Sequence, residues 1–175
     1  MDREGIKEVD GLTTVYFAGP DVFRGDALEH FDKISLLCSR IFPNIFPIFP
    51  IDNSTESQDS KAIYNINVEK LKFSDCIVAN LEPFRGVSAD AGTCVEVGMA
   101  VAFNKPIVGY YEGWMPEKYK DRVLDYYDWE TEPFPVVEDF DLYDNLMICH
   151  SCASIEISLY DALKKITEMS KKWRI

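Results

Sequence analysis

The sequence predicts an α/β domain organised around a mostly parallel sheet of about five strands. Three observations lead there. Short β-branched and aromatic runs alternate with stretches of helical periodicity. The run "DCIVANL", Asp75 to Leu81, is apolar without interruption, as a strand covered on both faces is. Glycine or proline punctuates several of the connections. Strand–helix alternation of this kind calls for right-handed crossovers, and 175 residues suit one domain spanning residues 1–175.

Each element follows in order. "TTVYFA", Thr13 to Ala18, reads as the first strand and stops at Gly19-Pro20. Leu28, Phe31, Ile34, Leu37 and Cys38 then recur at helical spacing. "NIFPIFPI" is apolar but carries Pro43, Pro47 and Pro50, which excludes a helix and suits a short edge strand. The polar stretch "DNSTESQDS" reads as an exposed loop. A helix over Ser60 to Phe73 has Ile63, Ile66, Leu71 and Phe73 as core candidates. "CIVANL" is the central strand, Thr93 to Phe103 the next helix, and "PIVGYY" the strand after Pro106. Glu112 to Asp144 reads as an aromatic, acidic excursion with a short helix near Pro116 to Tyr126. "NLMICH" reads as a last short strand. An amphipathic helix carrying Ile155, Leu159, Leu163 and Ile166 closes the chain.

Composition excludes several classes of function. Apolar residues make up 47% of the chain, enough for a substantial core, and the formal net charge is -12. That charge repels a nucleic-acid polymer. No segment has the length and apolarity of a membrane span, and the charged start "MDREGIKEVDG" lacks an apolar signal core. Five cysteines without a framework spacing point to reduced thiols and a cytoplasmic setting.

Ligands of open parallel sheets bind outside the carboxyl ends of the strands. The loops at that end are Gly19 to Gly25, Pro50 to Ser60, Glu82 to Gly92 and the segment from Tyr111 onwards. The third carries "EPFRGVSADAGTCVEVGMA", Glu82 to Ala100, with two carboxylates of interest. Glu96 falls near the start of a helix, where the dipole favours its ionised form, and an ionised carboxylate is a competent nucleophile towards an acetal-like carbon. Position alone also fits an ordinary exposed helix glutamate. Asp90, just before the helix, suits a cap or turn, or a carboxyl that exchanges a proton with a leaving group beside Glu96. The second role requires Asp90 to lie outside the helix, because residues six apart on one helix do not share a face.

"YFAGPDVF" at Tyr16 to Phe23, the block from Asp75 to Tyr110 with its "PFRG" loop and D-x-G-T-x-x-E-x-G spacing, and "DNLMI" at Asp144 to Ile148 together resemble the nucleoside 2-deoxyribosyltransferase family. The blocks lie in order from the first strand to the last. The resemblance implies a flavodoxin-like three-layer sandwich that exchanges nucleobases on 2'-deoxyribose with no cofactor and no metal. It implies Glu96 as the nucleophile at C1', Asp90 as the group that protonates the leaving base, and Tyr16 as the residue orienting Glu96. Phe23 would lie against the base, with Gly19, Pro20, Arg85 and Gly86 lining the substrate loops. Asn145 and Met147 would come from the late "NLM", with Asn145 reaching the sugar 5'-hydroxyl of a neighbouring subunit. The partners implied are a 2'-deoxyribonucleoside, a free nucleobase and further copies of the chain in a dimer or hexamer. Asn67 falls where several members carry a sugar-side aspartate; the amide keeps hydrogen bonding and loses the charge.

Two rival readings use the same residues. A 2'-deoxynucleoside 5'-monophosphate N-hydrolase would need donors around a phosphate, which Arg24 and Arg85 could supply, but the first loop places Asp21 there. A non-catalytic nucleotide-binding module would have no need of Glu96 together with Tyr16. The "CHSC" at Cys149 to Cys152 is a single C-x-x-C without a second pair, which suits core or surface thiols at a strand end better than zinc. His30 lies in a helical pattern and reads as structural or exposed.

Overall fold

A computed structural model describes residues 11–51, 59–113, 115–128 and 136–173. The charged N-terminal stretch, most of the "DNSTESQDS" loop and residues 129–135 of the acidic excursion lie outside the described residues. Five strands form one sheet: β1 (Thr13–Ala18), β2 (Ile45–Ile48), β3 (Cys76–Asn80), β4 (Ile107–Tyr110) and β5 (Ser154–Glu156). Their order is β2-β1-β3-β4-β5 and every neighbouring pair is parallel. Among the described residues six α-helices accompany them: α1 (Ala27–Ile41), α2 (Ser60–Phe73), α3 (Ala91–Ala102), α4 (Tyr119–Tyr126), α5 (Leu146–Ser151) and α6 (Leu159–Trp173). The order 2-1-3-4-5 is the flavodoxin-like arrangement, whose connections reverse direction between β1 and β3.

The period of two along each strand builds the layers. Val15 and Phe17 of β1 meet Phe31, Ile34 and Cys38 of α1 and Leu163 and Ile166 of α6. Tyr16 and Ala18 point the other way, into a core with Leu71 of α2, Val97 and Ala100 of α3 and Ile148 of α5. The phenol ring of Tyr16 is thus committed to the α2–α3 side of the sheet. Gly109 in β4 is required by packing, because a Cβ there would stand 2.6 Å from Leu81 Cδ1. Pro47 is tolerated inside β2 because β2 is an edge strand, as its prolines predict.

Several sequence expectations need correction. "NLMICH" is the helix α5, capped by Asn145, and the last strand is the three-residue "SIE" that follows it. Ile155 therefore belongs to β5 and not to the terminal helix. Cys149 lies within α5 and Cys152 at its C-cap, so the "CHSC" thiols are on a helix end and not a strand end. Leu28 is 47% exposed, being one helical step of about 100° from the buried Ala27. Ile66 is also exposed, and α2 has Leu71 as its buried residue. The helix expected from Thr93 starts two residues earlier, at Ala91. The helix expected near Pro116 begins at Tyr119.

Candidate active site

The carboxyl ends of β1 and β3 carry the two loops that the motif residues occupy. β1 ends at Ala18, and Gly19 lets the chain turn closely over β3, since a Cβ at Gly19 would lie 2.8 Å from Asn80 Cβ. Pro20 then opens a single 3-10 turn through Phe23, with proline favoured at such a start. After β3, residues 81–90 lead to the N-terminus of α3.

Tyr16 and Glu96 meet in the core beneath these loops. The Tyr16 hydroxyl donates to Glu96 Oε1 at 2.5 Å. Tyr16 is 0% exposed, and burial together with the facing carboxylate pushes its phenol well above the ordinary range. Glu96 is half-buried. Burial pushes its carboxyl up to about 7; the Tyr16 hydrogen bond opposes that rise and the nearby Asp90 charge adds to it. Glu96 is the sixth residue of α3, so it stands in the second turn and beyond the strongest reach of the helix dipole. The sequence expectation that the helix dipole favours its ionised form meets a stronger effect: burial raises the carboxyl. Among the described residues Glu96 Oε2 accepts no hydrogen bond, so Tyr16 anchors one oxygen of the carboxyl alone.

Asp90 is the N-cap of α3, with non-helical backbone, and its Oδ2 accepts from Thr93 N–H at 3.0 Å and Thr93 Oγ1 at 3.3 Å. The cap geometry takes Asp90 out of the helix, the condition for it to share a site with Glu96. Gly92 keeps that carboxylate in place, since a Cβ at 92 would stand 3.0 Å from Asp90 Oδ2. Thus Asp90 caps the helix and also lies near enough to Glu96 to act on its charge.

The outer residues form a second group. Phe23 and Phe84 stack with ring centroids 5.3 Å apart and planes 12° from parallel. The Arg85 guanidinium lies 5.0 Å from the Phe23 ring and 4.7 Å from the Phe84 ring. Arg85 holds φ at 54°, the left-handed region that a residue with a Cβ adopts at a cost. Phe23 is 55% exposed, so this aromatic–cation platform is open to solvent. Gly86 beside it has nothing within 4 Å of a would-be Cβ. Asn67 of α2 is half-buried, and its Oδ1 is a buried acceptor without a hydrogen-bond partner among the described residues. Asn145 caps α5 through Oδ1, which accepts from Met147 N–H at 3.0 Å, while its Nδ2 donates to Glu138 at 3.0 Å. Met147 is 70% exposed.

Sequence reasoning missed four participants. Asn80, 3% exposed, donates from Nδ2 to Asp21 Oδ2 at 2.9 Å and accepts from Glu82 N–H at 3.0 Å, tying the first loop to the second. Phe84 supplies half of the aromatic stack. Asp144 and Arg122 bind the loop before Asp90 to the segment entering α5. An asparagine ending an apolar strand was the available signal for Asn80. The others depend on contacts across 21 to 61 residues, counted between ring, carboxylate and loop partners, and leave no local pattern. His30 of α1 stands with Nε2 3.4 Å from Asp21 Oδ1, a supporting position. The "CHSC" thiols turn back on their own helix: Cys149 Sγ donates to Asp144 O at 3.3 Å and Cys152 Sγ to Ile148 O at 3.5 Å. Burial pushes the Cys152 thiol up to about 12, far from reactive.

The fold and the Tyr–Glu pair define a class: an α/β protein with an anchored, half-buried carboxylate at the β1–β3 switch point. The family model for nucleoside 2-deoxyribosyltransferase matches residues 15–147. The chain belongs to that family. Over 89% of its length it superposes on 97% of a 2-desoxiribosyltransferase from Leishmania mexicana, with a TM-score of 0.73 and 29% identity. A conserved protein from Enterococcus faecalis V583 shares the fold with a TM-score of 0.61 and 24% identity, over 90% of this chain and 99% of that one. A 2-deoxyribosyltransferase from Bacillus psychrosaccharolyticus does so at 0.53 and 17%, over 86% and 90%. An uncharacterized protein of Schizosaccharomyces pombe is 32% identical over 114 residues, 59% of this chain. The chain spans about half the length of that curated relative, 53%. No helix among the described residues is long and apolar enough to cross a membrane.

Proposed function

We propose that this protein transfers a 2'-deoxyribosyl group from one nucleobase to another, with Glu96 as the nucleophile. The observation that carries this reading is the Tyr16–Glu96 hydrogen bond, which anchors Oε1 and, among the described residues, leaves Oε2 without a hydrogen-bond partner. In the first step Oε2 bonds to C1' of the deoxynucleoside while the C1'–N bond breaks. The electron pair of that bond leaves on the base, which takes a proton from the Asp90 carboxyl. The products are a deoxyribosyl ester of Glu96 and a free base. In the second step a ring nitrogen of another base bonds to C1', its N–H proton passes to Asp90, and the Glu96 carboxylate departs. Two displacements at one carbon retain its configuration. A carboxylate beside C1' also stabilises the oxocarbenium character that builds as the bond breaks. A 2'-hydroxyl would crowd the site and destabilise that cation.

The environment favours an unphosphorylated substrate. Asp21, Glu82 and Glu112 bring carboxylates to the same strand ends, and burial with their mutual charge holds Glu112 above its ordinary range. The two arginines that a phosphate would need are engaged: Arg24 with Asp26 at 2.9 Å, Arg85 on the two phenylalanine rings. The monophosphate hydrolase reading is accordingly the weaker one. The reading includes an assembly in which Asn145 completes a neighbouring copy's site. The outward face of α3, with Ala91, Gly92, Val95, Gly98 and Val101, is exposed and uncharged, and Met147 is exposed next to Asn145, so apolar surface lies on the elements that bear site residues.

The test is base exchange. The protein is incubated with a 2'-deoxynucleoside and a different free base, and new deoxynucleoside is measured by chromatography. Failure to form any with purine and pyrimidine donors overturns the transferase reading. Release of deoxyribose 5-phosphate from a monophosphate donor would establish the hydrolase instead.

A further inference from the structure

Asp144 is a fully buried carboxylate, 0% exposed, which the chemistry above does not use. Both of its oxygens are occupied. Oδ1 accepts from the Ser88 hydroxyl and from Asn145 N–H at 2.7 Å, and Oδ2 accepts from Ala89 N–H at 2.9 Å. Each backbone donor adjoins or belongs to a candidate site residue: Ala89 directly precedes Asp90, and Asn145 is the cap of α5. Arg122 of α4 joins the same two segments from another side. Its Nε and Nη2 donate to Val87 O at 2.9 and 2.7 Å, and Nη2 also donates to Tyr143 O at 2.8 Å. Residues 87–89 and 143–145 are therefore clasped together, one segment delivering Asp90 and the other Asn145.

We propose that Asp144 is a positioning residue that sets Asp90 against the base-side of the site and fixes Asn145 relative to it; the proposal rests on the transferase reading. A buried anion with three donors holds one rotamer, and its two oxygens fix the spacing of the segments they bridge. An asparagine at this position has a single carbonyl oxygen, so its amide NH2 would confront either Ala89 N–H or Asn145 N–H. Donor facing donor forces one segment away. If Ala89 moves, Asp90 moves with it, and the proton meant for the leaving base is misplaced.

This role separates from simple structural support through the leaving group. An ordinary 2'-deoxynucleoside needs a proton on its base as the C1'–N bond breaks. 7-Methyl-2'-deoxyguanosine already carries a positive charge on its base, which departs neutral without a proton. The experiment compares wild type, Asp144→Asn and Asp90→Asn in pre-steady-state base release from 2'-deoxyadenosine and from 7-methyl-2'-deoxyguanosine, with circular dichroism and thermal melts on the same samples. Asp144→Asn is expected to slow release from 2'-deoxyadenosine by on the order of 10²-fold, with release from the methylated donor reduced several-fold at most. The double variant Asp90→Asn/Asp144→Asn is expected to be at most several-fold slower than Asp90→Asn alone, because the two changes remove the same proton delivery and only the displacement of Asn145 adds to it. Equal losses on the two donors, or no loss on either, overturn the proposal. Should Asp144→Asn fail to fold, Ser88→Ala removes one of the three bonds and is expected to skew the donor ratio in the same direction; an unchanged ratio overturns the proposal. A wild type that releases base from neither donor and from no pyrimidine 2'-deoxynucleoside overturns the transferase reading and this proposal together, whereas an active wild type with an evenly impaired variant overturns this proposal alone.

Discussion

The Tyr16 hydroxyl and Glu96 Oε1 are joined by a 2.5 Å hydrogen bond across 80 positions of sequence, linking the second layer of the core to the sheet's carboxyl edge. Burial raises the Glu96 carboxyl and the phenol restrains the rise, leaving it at about 7. In the transferase reading the nucleophile must be ionised, so turnover would depend on Glu96 losing its proton. We expect kcat/KM for 7-methyl-2'-deoxyguanosine, whose base leaves without a proton from Asp90, to rise with pH through a single ionisation near 7 in the free protein. A profile already flat from pH 5 upward would show that another group limits the reaction.

Replacing Tyr16 by phenylalanine removes the one contact that favours ionised Glu96. The rising limb should move to higher pH, and the rate at pH 7 should fall roughly 10- to 100-fold, the worth of a hydrogen bond to a charged group. Full pH profiles of both proteins check this. A lower rate with an unmoved limb would mean that Tyr16 acts on position alone.

Glu96→Gln should abolish transfer and increase stability, with a definite pH dependence. The folded carboxyl titrates near 7 and an unfolded glutamate near 4.5. Between those values the folded state retains a proton that the unfolded state releases, so wild-type stability falls as pH rises through this window. Below the window the carboxyl is neutral in both states. The advantage of Glu96→Gln should therefore be small near pH 4 and reach about 1–3 kcal/mol above pH 7. Urea titrations at pH 4.5 and 8 measure the difference; equal gaps at the two values would contradict it.

Gly109→Ala should destabilise by roughly 1–3 kcal/mol, because the added methyl meets the buried Leu81 and two half-buried side chains. Leu81 Cδ1 would be 2.6 Å away and Cys152 Sγ and Ile155 Cγ1 each 3.3 Å. Gly86→Ala, with nothing within 4 Å, is the control and should stay within about 0.5 kcal/mol of wild type. Chemical denaturation of the two variants tests the contrast.

The sheet was legible where strands are long and covered on both faces. Thr13–Ala18 and Cys76–Asn80 appear in the sequence as unbroken β-branched or apolar runs. The C-terminal region was not. "LMIC" within α5 is apolar without periodicity, and a run that short suits strand or helix equally. The true β5 has three residues, two of them polar, and leaves no signal. Glu96 and Tyr16 were recognisable through motif blocks, whereas the charge state of Glu96 was not, because burial is a property of the assembled core. Asp144 reads locally as one more acid in an acidic segment. Its partners Ser88 and Ala89 lie 56 and 55 residues away, and only the fold brings them together.

Pro47, in the outermost strand β2, has no N–H to offer, and the opposite border of the sheet is a strand three residues long. Neither border presents a row of donors and acceptors long enough to template a strand from another chain. Copies of this protein cannot readily grow by adding β-structure end to end. Any contact between copies would fall instead to helix flanks and loop tips, where side chains rather than backbone make it.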